Sequence, residues 1–167
     1  LGGILLAADD VGLTGLWFDG QKYFARGLSN ERIAHETSVL AEAKRWLDIY
    51  FTGKEPDFTP PLHPIGSAFR RSVWEILLQI PYGQTTTYGE IARQLAKKQG
   101  LERMSAQAVG GAVGHNEISI IIPCHRVVGT SGSLTGYAGG IGKKEKLLEL
   151  ERADMRRFFV PKKGTAL

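Results

Sequence analysis

The sequence predicts an α+β protein of two domains: a small sheet-plus-helix domain over residues 1–62, and a winged helix-turn-helix domain over residues 63–167. Two observations lead to this fold class. Short apolar runs fill the first third of the chain, whereas amphipathic helical patterns dominate the rest. Between them, four prolines from Pro56 to Pro64 predict an extended connector, because proline lacks a backbone donor and disfavours helix in the residue before it.

The charge also differs between the two parts. Residues 1–62 carry 6 Lys/Arg and 9 Asp/Glu, a net charge of −3, whereas residues 63–167 carry 15 and 8, a net charge of +7. A basic half predicts a polyanionic partner, although a basic surface is also compatible with simple solvation.

Composition excludes several classes of protein. A chain of 167 residues that is 43% hydrophobic is too apolar for a disordered protein, and no apolar run approaches the ~20 residues of a membrane span. One cysteine excludes an internal disulfide, and with four scattered histidines it predicts no metal site. We therefore expect a cytoplasmic protein without a metal. The chain begins at Leu1, which predicts that N-terminal residues are missing.

The first domain should contain a hairpin and a helix. "GILLAADD" and "GLTGLWF" are short apolar runs bounded by glycine and aspartate, as in a β-hairpin. A helix is predicted from about Asn30 to Phe51. The residues of its apolar stripe recur at helical spacing and are Ile33, Leu40, Ala43, Leu47 and Tyr50.

Three helices should open the second domain. "SAFRRSVWEILLQI" has one apolar face and is stopped by Pro81 and Gly83. "TTTYGEIARQLAKK" begins with a capping box, in which Thr87 reaches forward and Glu90 reaches back. "MSAQAVGGAVGHN" follows with Ser105 as its cap. The last two, joined by a short turn in a basic domain, predict a helix-turn-helix.

The wing and a closing helix complete the domain. "HRVVGTSGSLTGYA" predicts a hairpin that turns at Ser131-Gly132, and "KKEKLLELERA" predicts the last helix. Gly110 and Gly111 stand out in the third helix, because a mid-helix glycine costs ~1 kcal/mol relative to alanine. Either the helix packs tightly in the core there, or another backbone approaches it closely.

Cys124, in "SIIIPCHRVVG", has two interpretations. Free cysteines are commonly buried small hydrophobes, here at the end of an apolar, strand-sized run. Alternatively Cys124 is a nucleophile with His125 as its base. In an extended strand the two side chains point to opposite faces, so proton transfer would need a kink at Pro123 or a bridging water. The carboxylates that could orient His125 are Glu145, Glu149 and Glu151, and spacing does not choose among them.

Four segments together resemble the O6-alkylguanine-DNA alkyltransferases, also called methylated-DNA–protein-cysteine methyltransferases. They are "FRRSVWEILLQIPYGQTTTYGEIA", "AVGGAVGHN", "IIIPCHRVVG" and "SGSLTGYAGG", and the resemblance covers residues 66–152 almost without a break. Pro-Cys-His-Arg-Val is the signature of that family. Pro-Cys-His alone is weaker, since it also surrounds the nucleophile of thymidylate synthases, which need a much longer chain.

The resemblance implies a role for each catalytic residue. Cys124 would accept the alkyl group, His125 would activate it through a water, and Glu151 would orient His125. Asn116 matches the hinge asparagine that ties the recognition helix to the active-site segment. Tyr88 matches the tyrosine that rotates the target nucleotide and hydrogen-bonds its base.

The resemblance also implies the binding residues. The alkylguanine pocket would comprise Tyr137, Val127, Pro123 and Gly139. The DNA contacts, around a recognition helix placed in the minor groove, would comprise Ser105, Gln107, Gly110, Gly111, Gly89 and Thr130. Gln107 stands where the family usually has an arginine that fills the gap left by the flipped nucleotide. His115 is a candidate DNA contact through its proximity to Asn116, and otherwise a structural histidine.

The function implied is repair of O6-alkylguanine in double-stranded DNA by irreversible, single-turnover transfer to Cys124. The lesion lies inside a base pair, so the base must be flipped out. We expect a monomer that needs no cofactor. The alternative is a non-catalytic protein that binds alkylated DNA, but such relatives have lost the cysteine, typically for tryptophan. A transcription regulator is a weaker third option, because the chain has no regulatory domain and its third helix lacks large base-reading side chains.

Overall fold

The N-terminal hairpin is present as predicted. The computed structural model describes residues 1–26, 28 and 31–161. Strand β1 (Ile4–Ala8) pairs antiparallel with β2 (Leu13–Phe18). The Asp9 carboxylate accepts hydrogen bonds from two backbone amides of the connecting turn, so the side chain satisfies donors that the sheet leaves unpaired.

The first helix is shorter than the sequence predicts. Helix α1 comprises Ser38–Tyr50, and the Thr37 hydroxyl caps it by accepting from the Leu40 amide at 3.3 Å. The predicted start at Asn30 lies outside the described residues, and residues 31–37 are not helical. Ile33 is 83% exposed, so it does not belong to the buried stripe. Residues 31–37 are exposed, so extending the helix over them would bury no apolar surface. The helix therefore begins after Thr37, whose side chain caps it.

The four α-helices described within residues 63–161 lie close to their predicted positions. They are α2 (Ala68–Leu77), α3 (Tyr88–Gln99), α4 (Ala106–Gly114) and α5 (Ile141–Leu150). Ser105 caps α4 as predicted, and Thr87 caps α3 by accepting from the Glu90 amide. The prediction that Glu90 reaches back to complete the capping box is wrong, because its carboxylate instead accepts a hydrogen bond from Arg93 Nε at 3.0 Å. Among the described residues, every helix is too short or too polar to cross a lipid bilayer.

The predicted wing hairpin is wrong in its pairing. Ser131 and Gly132 do form a turn, with φ of 67° and 90°, but the two flanks pair with other segments. On one side β4 (Val127–Val128) pairs parallel with β3 (Thr86–Thr87). On the other side the Leu134 amide donates to the Phe159 carbonyl at 2.8 Å. Across the turn the Gly129 amide donates to the Ser133 carbonyl at 2.8 Å, but beyond that bond the flanks pair with segments outside the hairpin.

The buried core is continuous across the proline-rich connector. It joins Leu16 and Phe18 of β2 to Trp74 of α2 and to Ile118. Backbone hydrogen bonds strengthen this junction. The Leu16 amide donates to the Glu117 carbonyl at 2.8 Å, and the Ser119 amide donates to the Leu16 carbonyl at 3.1 Å. The N-terminal sheet thereby holds the segment that leads to Cys124.

Candidate active site

The apolar run before Cys124 is a series of turns, not a strand. Ile118 makes a single bridge to Leu16, residues 119–122 turn, and Ile120 has a φ of 69°. Cys124–Arg126 then form one 3₁₀ turn. The interpretation of Cys124 as the end of an extended strand is therefore wrong.

Asn116 explains this local fold. Its buried side chain accepts from the Ile118 amide at 3.0 Å and donates to the Ile122 carbonyl at 2.8 Å. These are backbone groups that a strand would have paired with a neighbouring strand. Since Asn116 lies two residues after Gly114, the last residue of α4, the same side chain joins the end of that helix to the segment carrying Cys124.

Cys124 is a buried thiol. It is 5% exposed, and burial raises its pKa, while the Asn116 side chain and the charge of Lys144 oppose that rise. The side chain is therefore protonated in the resting protein. Nucleophilic chemistry at Cys124 needs a base to remove the proton when a substrate is bound.

His125 is placed to be that base. It is fully buried, and its Nε2 lies 2.5 Å from Glu151 Oε2. Glu151 is thus the carboxylate in contact with His125, whereas Glu149 is exposed. Burial lowers the pKa of His125, so the ring is neutral. An ionised carboxylate can only accept, so Nε2 carries the proton. Nδ1, which has no hydrogen-bond partner within the described part of the chain, keeps a free lone pair.

Glu151 is the centre of a larger buried network. Its carboxylate also accepts from Tyr50 OH at 2.6 Å, from Arg126 Nε at 2.8 Å and from the Gly83 amide at 3.1 Å. Burial alone would raise the pKa of Glu151, but the hydrogen bonds that it accepts from His125 and Arg126, together with the charge of Arg126, outweigh burial and hold that pKa well below its usual range. Glu151 therefore stays ionised.

Sequence reasoning missed two members of this network and one neighbour of the pocket. Arg126 had a signal, its place beside Cys124 and His125 in the motif, but Tyr50 was assigned only to an apolar stripe. Lys144 had none, because "KKEK" is typical of a solvated helix face. Its buried Nζ donates to Val127 O at 2.5 Å and to Thr135 O at 2.8 Å. Burial lowers the pKa of Lys144 to about 8.

Tyr88 lies beside the thiol. Its hydroxyl donates to the Thr135 carbonyl at 3.2 Å, the same oxygen that Lys144 binds. Burial and the neighbouring Cys124 raise the pKa of Tyr88, so its phenol keeps its proton. The same hydroxyl also lies 3.4 Å from the Gly136 carbonyl, so its proton is shared between two long contacts and can be redirected to a ligand.

The predicted pocket residues differ in exposure. Pro123, Val127 and Tyr137 are buried, and Gly139 is half-buried. A Cβ at Gly139 would lie 2.8 Å from Tyr137 Cε2 and 3.0 Å from Phe18 Cδ2. The absence of a side chain at this position therefore allows the Tyr137 ring to sit where it does.

The predicted DNA contacts lie on the surface, on several elements. Ser105, Gln107 and Gly111 are exposed on or next to α4, Gly110 is half-buried there, Gly89 is half-buried at the start of α3, and Thr130 is exposed after β4. A Cβ at Gly110 would lie 3.8 Å from the Tyr88 ring, and one at Gly111 would meet no atom of the described residues within 4 Å. Tight core packing therefore does not explain the two glycines, which favours close approach of another molecule.

Comparison with known proteins gives two family matches that together cover most of the chain. Residues 1–64 match the ribonuclease-like domain of 6-O-methylguanine DNA methyltransferase, and residues 68–153 match the DNA binding domain of the same protein.

Individual relatives agree. The methylated-DNA–protein-cysteine methyltransferase of Methanosarcina acetivorans is 43% identical over 152 residues, which is 90% of this chain and 92% of the relative. That of Methanosarcina barkeri is 44% identical over 160 residues, 93% of this chain and 94% of the relative. The crystal structure of Mycobacterium tuberculosis OGT in complex with DNA superposes with a TM-score of 0.75 at 41% identity, covering 93% of this chain and 88% of that one.

Acid should weaken the folded protein through Glu151. Its folded-state pKa lies below the ordinary value of 4.5, so its stabilisation is complete above that pH and is lost as the pH falls further. Glu151→Gln should be less stable than the wild type at neutral pH, and the difference should shrink between about pH 4.5 and pH 3. Urea unfolding at a series of pH values measures both.

Glu149→Gln is the matched control, because Glu149 is an exposed glutamate of the same helix. It should follow the wild type throughout. A stability difference for Glu151→Gln that stays constant down to about pH 3 would contradict the assigned ionisation.

Proposed function

The chain belongs to the 6-O-methylguanine DNA methyltransferase family, and we propose that it repairs O6-alkylguanine in double-stranded DNA by irreversible transfer of the alkyl group to Cys124. The observation that carries the assignment is the buried contact between His125 and Glu151, directly beside the cysteine. It leaves one imidazole nitrogen free to take a proton and holds the other in place. A protein that only binds lesions needs neither this arrangement nor a cysteine, which argues against the non-catalytic alternative.

Activation begins with the Cys124 thiol. Its proton passes through a water molecule to His125 Nδ1, and the ionised Glu151 stabilises the imidazolium that forms. The charge of Lys144 favours the thiolate from another side. Burial keeps the thiol protonated until a substrate occupies the pocket, which protects it from other electrophiles.

Transfer is a direct displacement. A bond forms between Cys124 Sγ and the alkyl carbon as the bond from that carbon to guanine O6 breaks, and the electron pair goes to the guanine, which then takes up a proton. Tyr88 supports this departure by donating its hydroxyl hydrogen bond to the base instead of to Thr135. The thioether that results is not hydrolysed, so each molecule acts once.

DNA recognition falls to α4 and its surroundings. The glycine face of this helix allows α4 to come close to the DNA backbone in the minor groove. Gln107, exposed in the first turn of α4, reaches into the base stack in place of the flipped nucleotide. Its amide can both donate to and accept from the orphaned base. One chain holds all of these groups, so we propose a monomer. The cytoplasm, which keeps cysteine reduced, suits this chemistry.

Single turnover is the first consequence to test. Mixed with an excess of O6-methylguanine duplex, the protein should gain one methyl group, about 14 Da in intact mass, as a thiolate nucleophile requires. Peptide mapping should place the methyl group on Cys124, and Cys124→Ser should bind the duplex without a mass change. Repeated turnover, or a label on another residue, would refute the mechanism.

Gly111→Ala should separate stability from DNA binding. The added methyl group meets open space, so the helix should be stabilised by roughly 0.5–1 kcal/mol. The same methyl group should weaken duplex binding, because it projects from the face that enters the groove. Thermal unfolding and fluorescence anisotropy measure the two effects.

Gly142→Ala is the matched control. Gly142 is an exposed residue of α5 that also has open space around its Cα, so the substitution should stabilise the protein without weakening duplex binding. Unchanged duplex affinity in Gly111→Ala would show that α4 does not need its bare backbone to reach the DNA.

A further inference from the structure

A basic aromatic turn of the N-terminal half lies against the recognition helix. We call Lys22, Tyr23, Arg26 and His115 the Tyr23 platform. The Tyr23 and His115 rings stack with centroids 4.4 Å apart and planes 22° apart. Lys22 Nζ lies 5.2 Å from the Tyr23 centroid, and Arg26 Cζ lies 5.3 Å from it. These distances are within the range of cation–π attraction, so the ring gathers two cations at one place.

The turn is held in an unfavourable backbone conformation. Tyr23 and Ala25 have φ of 62° and 53°, a region that residues with a side chain rarely adopt. Hydrogen bonds at the start of the turn, made by Gln21 and Lys22, hold it in this conformation. Gln21, which is buried, accepts from the Phe18 amide at 2.8 Å, and the Lys22 amide donates to Ala138 O at 2.9 Å. The cations are therefore presented on a fixed support.

The platform is continuous with the glycine face of α4. His115 Nδ1 donates to the Gly111 carbonyl at 2.7 Å, which orients the ring on the helix that carries it. Lys22, Tyr23 and His115 line a shallow pocket together with Gly110 and Gly111. Lys22 and Arg26 are exposed at its edge. A polymer lying along α4 would thus pass the platform.

The charge of the turn is opposite to that of its domain. Residues 20–26 contain two cations and no acid, whereas residues 1–62 have a net charge of −3. One acid near Arg26 is Glu117, whose carboxylate accepts from the Trp17 indole at 2.5 Å. Burial raises the pKa of Glu117, while the Trp17 hydrogen bond and the charge of Arg26 oppose that rise.

We propose that the Tyr23 platform is a second DNA contact, in which Lys22 and Arg26 bind phosphates of the duplex backbone beside α4. The proposal rests on the proposed function, since α4 must enter the groove for the backbone to reach the platform. Flexible cations on a fixed support suit contacts with phosphates. Such contacts position the protein on a duplex without reading the base sequence. The acidic N-terminal half thereby takes part directly in DNA binding.

The test compares two double variants that remove the same charge from the same half. Lys22→Ala/Arg26→Ala removes the platform cations, and Lys44→Ala/Lys54→Ala removes two exposed cations on and after α1. Each is combined with Cys124→Ser, and duplex binding is measured by anisotropy over a range of salt concentrations. Each is also made with Cys124 intact, to compare transfer from methylated duplex with transfer from free O6-benzylguanine. Thermal unfolding checks that every variant is folded.

The platform variant should bind duplex about tenfold more weakly than the control at moderate salt, and its slope of log affinity against log salt should fall by about 2, one for each lost phosphate contact. Its transfer rate should fall more on duplex than on the free base. Affinity and slope equal to those of the control would overturn the proposal. So would equal losses on duplex and free base, which would mean that the turn acts on the alkyl pocket through Ala138. The anisotropy measurements use Cys124→Ser variants and do not depend on alkyl transfer. Failure of the proposed function would therefore show separately, because wild-type Cys124 would gain no alkyl group.

Discussion

The buried Glu151 carboxylate is the interaction on which the site depends. Tyr50 reaches it from α1, the Gly83 amide from the loop after α2, and His125 and Arg126 from the cysteine segment. Three parts of the chain, from both sides of the proline-rich connector, thus converge on one anion. Removing such a group leaves Arg126 as an uncompensated buried charge, which is strongly destabilising. The same carboxylate therefore stabilises the fold and holds His125.

This arrangement reconciles burial with reactivity. A buried thiol is inert, and Cys124 alone would be no more than a small core residue. Its neighbour His125 is also buried and neutral, but Glu151 fixes which of its nitrogens carries the proton. Positive charge therefore develops on His125 only during the reaction, beside the Glu151 carboxylate, which is already ionised. Preorganised groups of this kind need little reorganisation when the reaction occurs.

Local patterns predicted most of the fold. The hairpin, the four later helices and the caps at Thr87 and Ser105 followed from periodicity and from hydroxyl groups at helix starts. The errors came where long-range contacts decide the structure. The segment before Cys124 turns because the Asn116 side chain replaces a strand partner, and the wing flanks pair with distant segments.

The candidate site was predictable in its motif but not in its surroundings. Cys124 and His125 stand together in the sequence, whereas Tyr50 is 101 positions from Glu151, and only the folded chain brings the two together. Lys144 looks like one more solvated lysine until its amine is found bound to two backbone carbonyls. A single sequence shows spacing along the chain but not which distant side chains share one oxygen.

A double-mutant cycle on the rate of transfer tests the relay most directly. His125→Ala, Glu151→Gln and the double variant would each react with excess methylated duplex, and the gain in intact mass would be followed over time. If Glu151 acts by holding His125, each single variant should slow transfer while duplex binding is retained, and the double variant should be hardly slower than His125→Ala alone, because residues that act as a unit are far from additive. Losses that multiply independently in the double variant would contradict the relay.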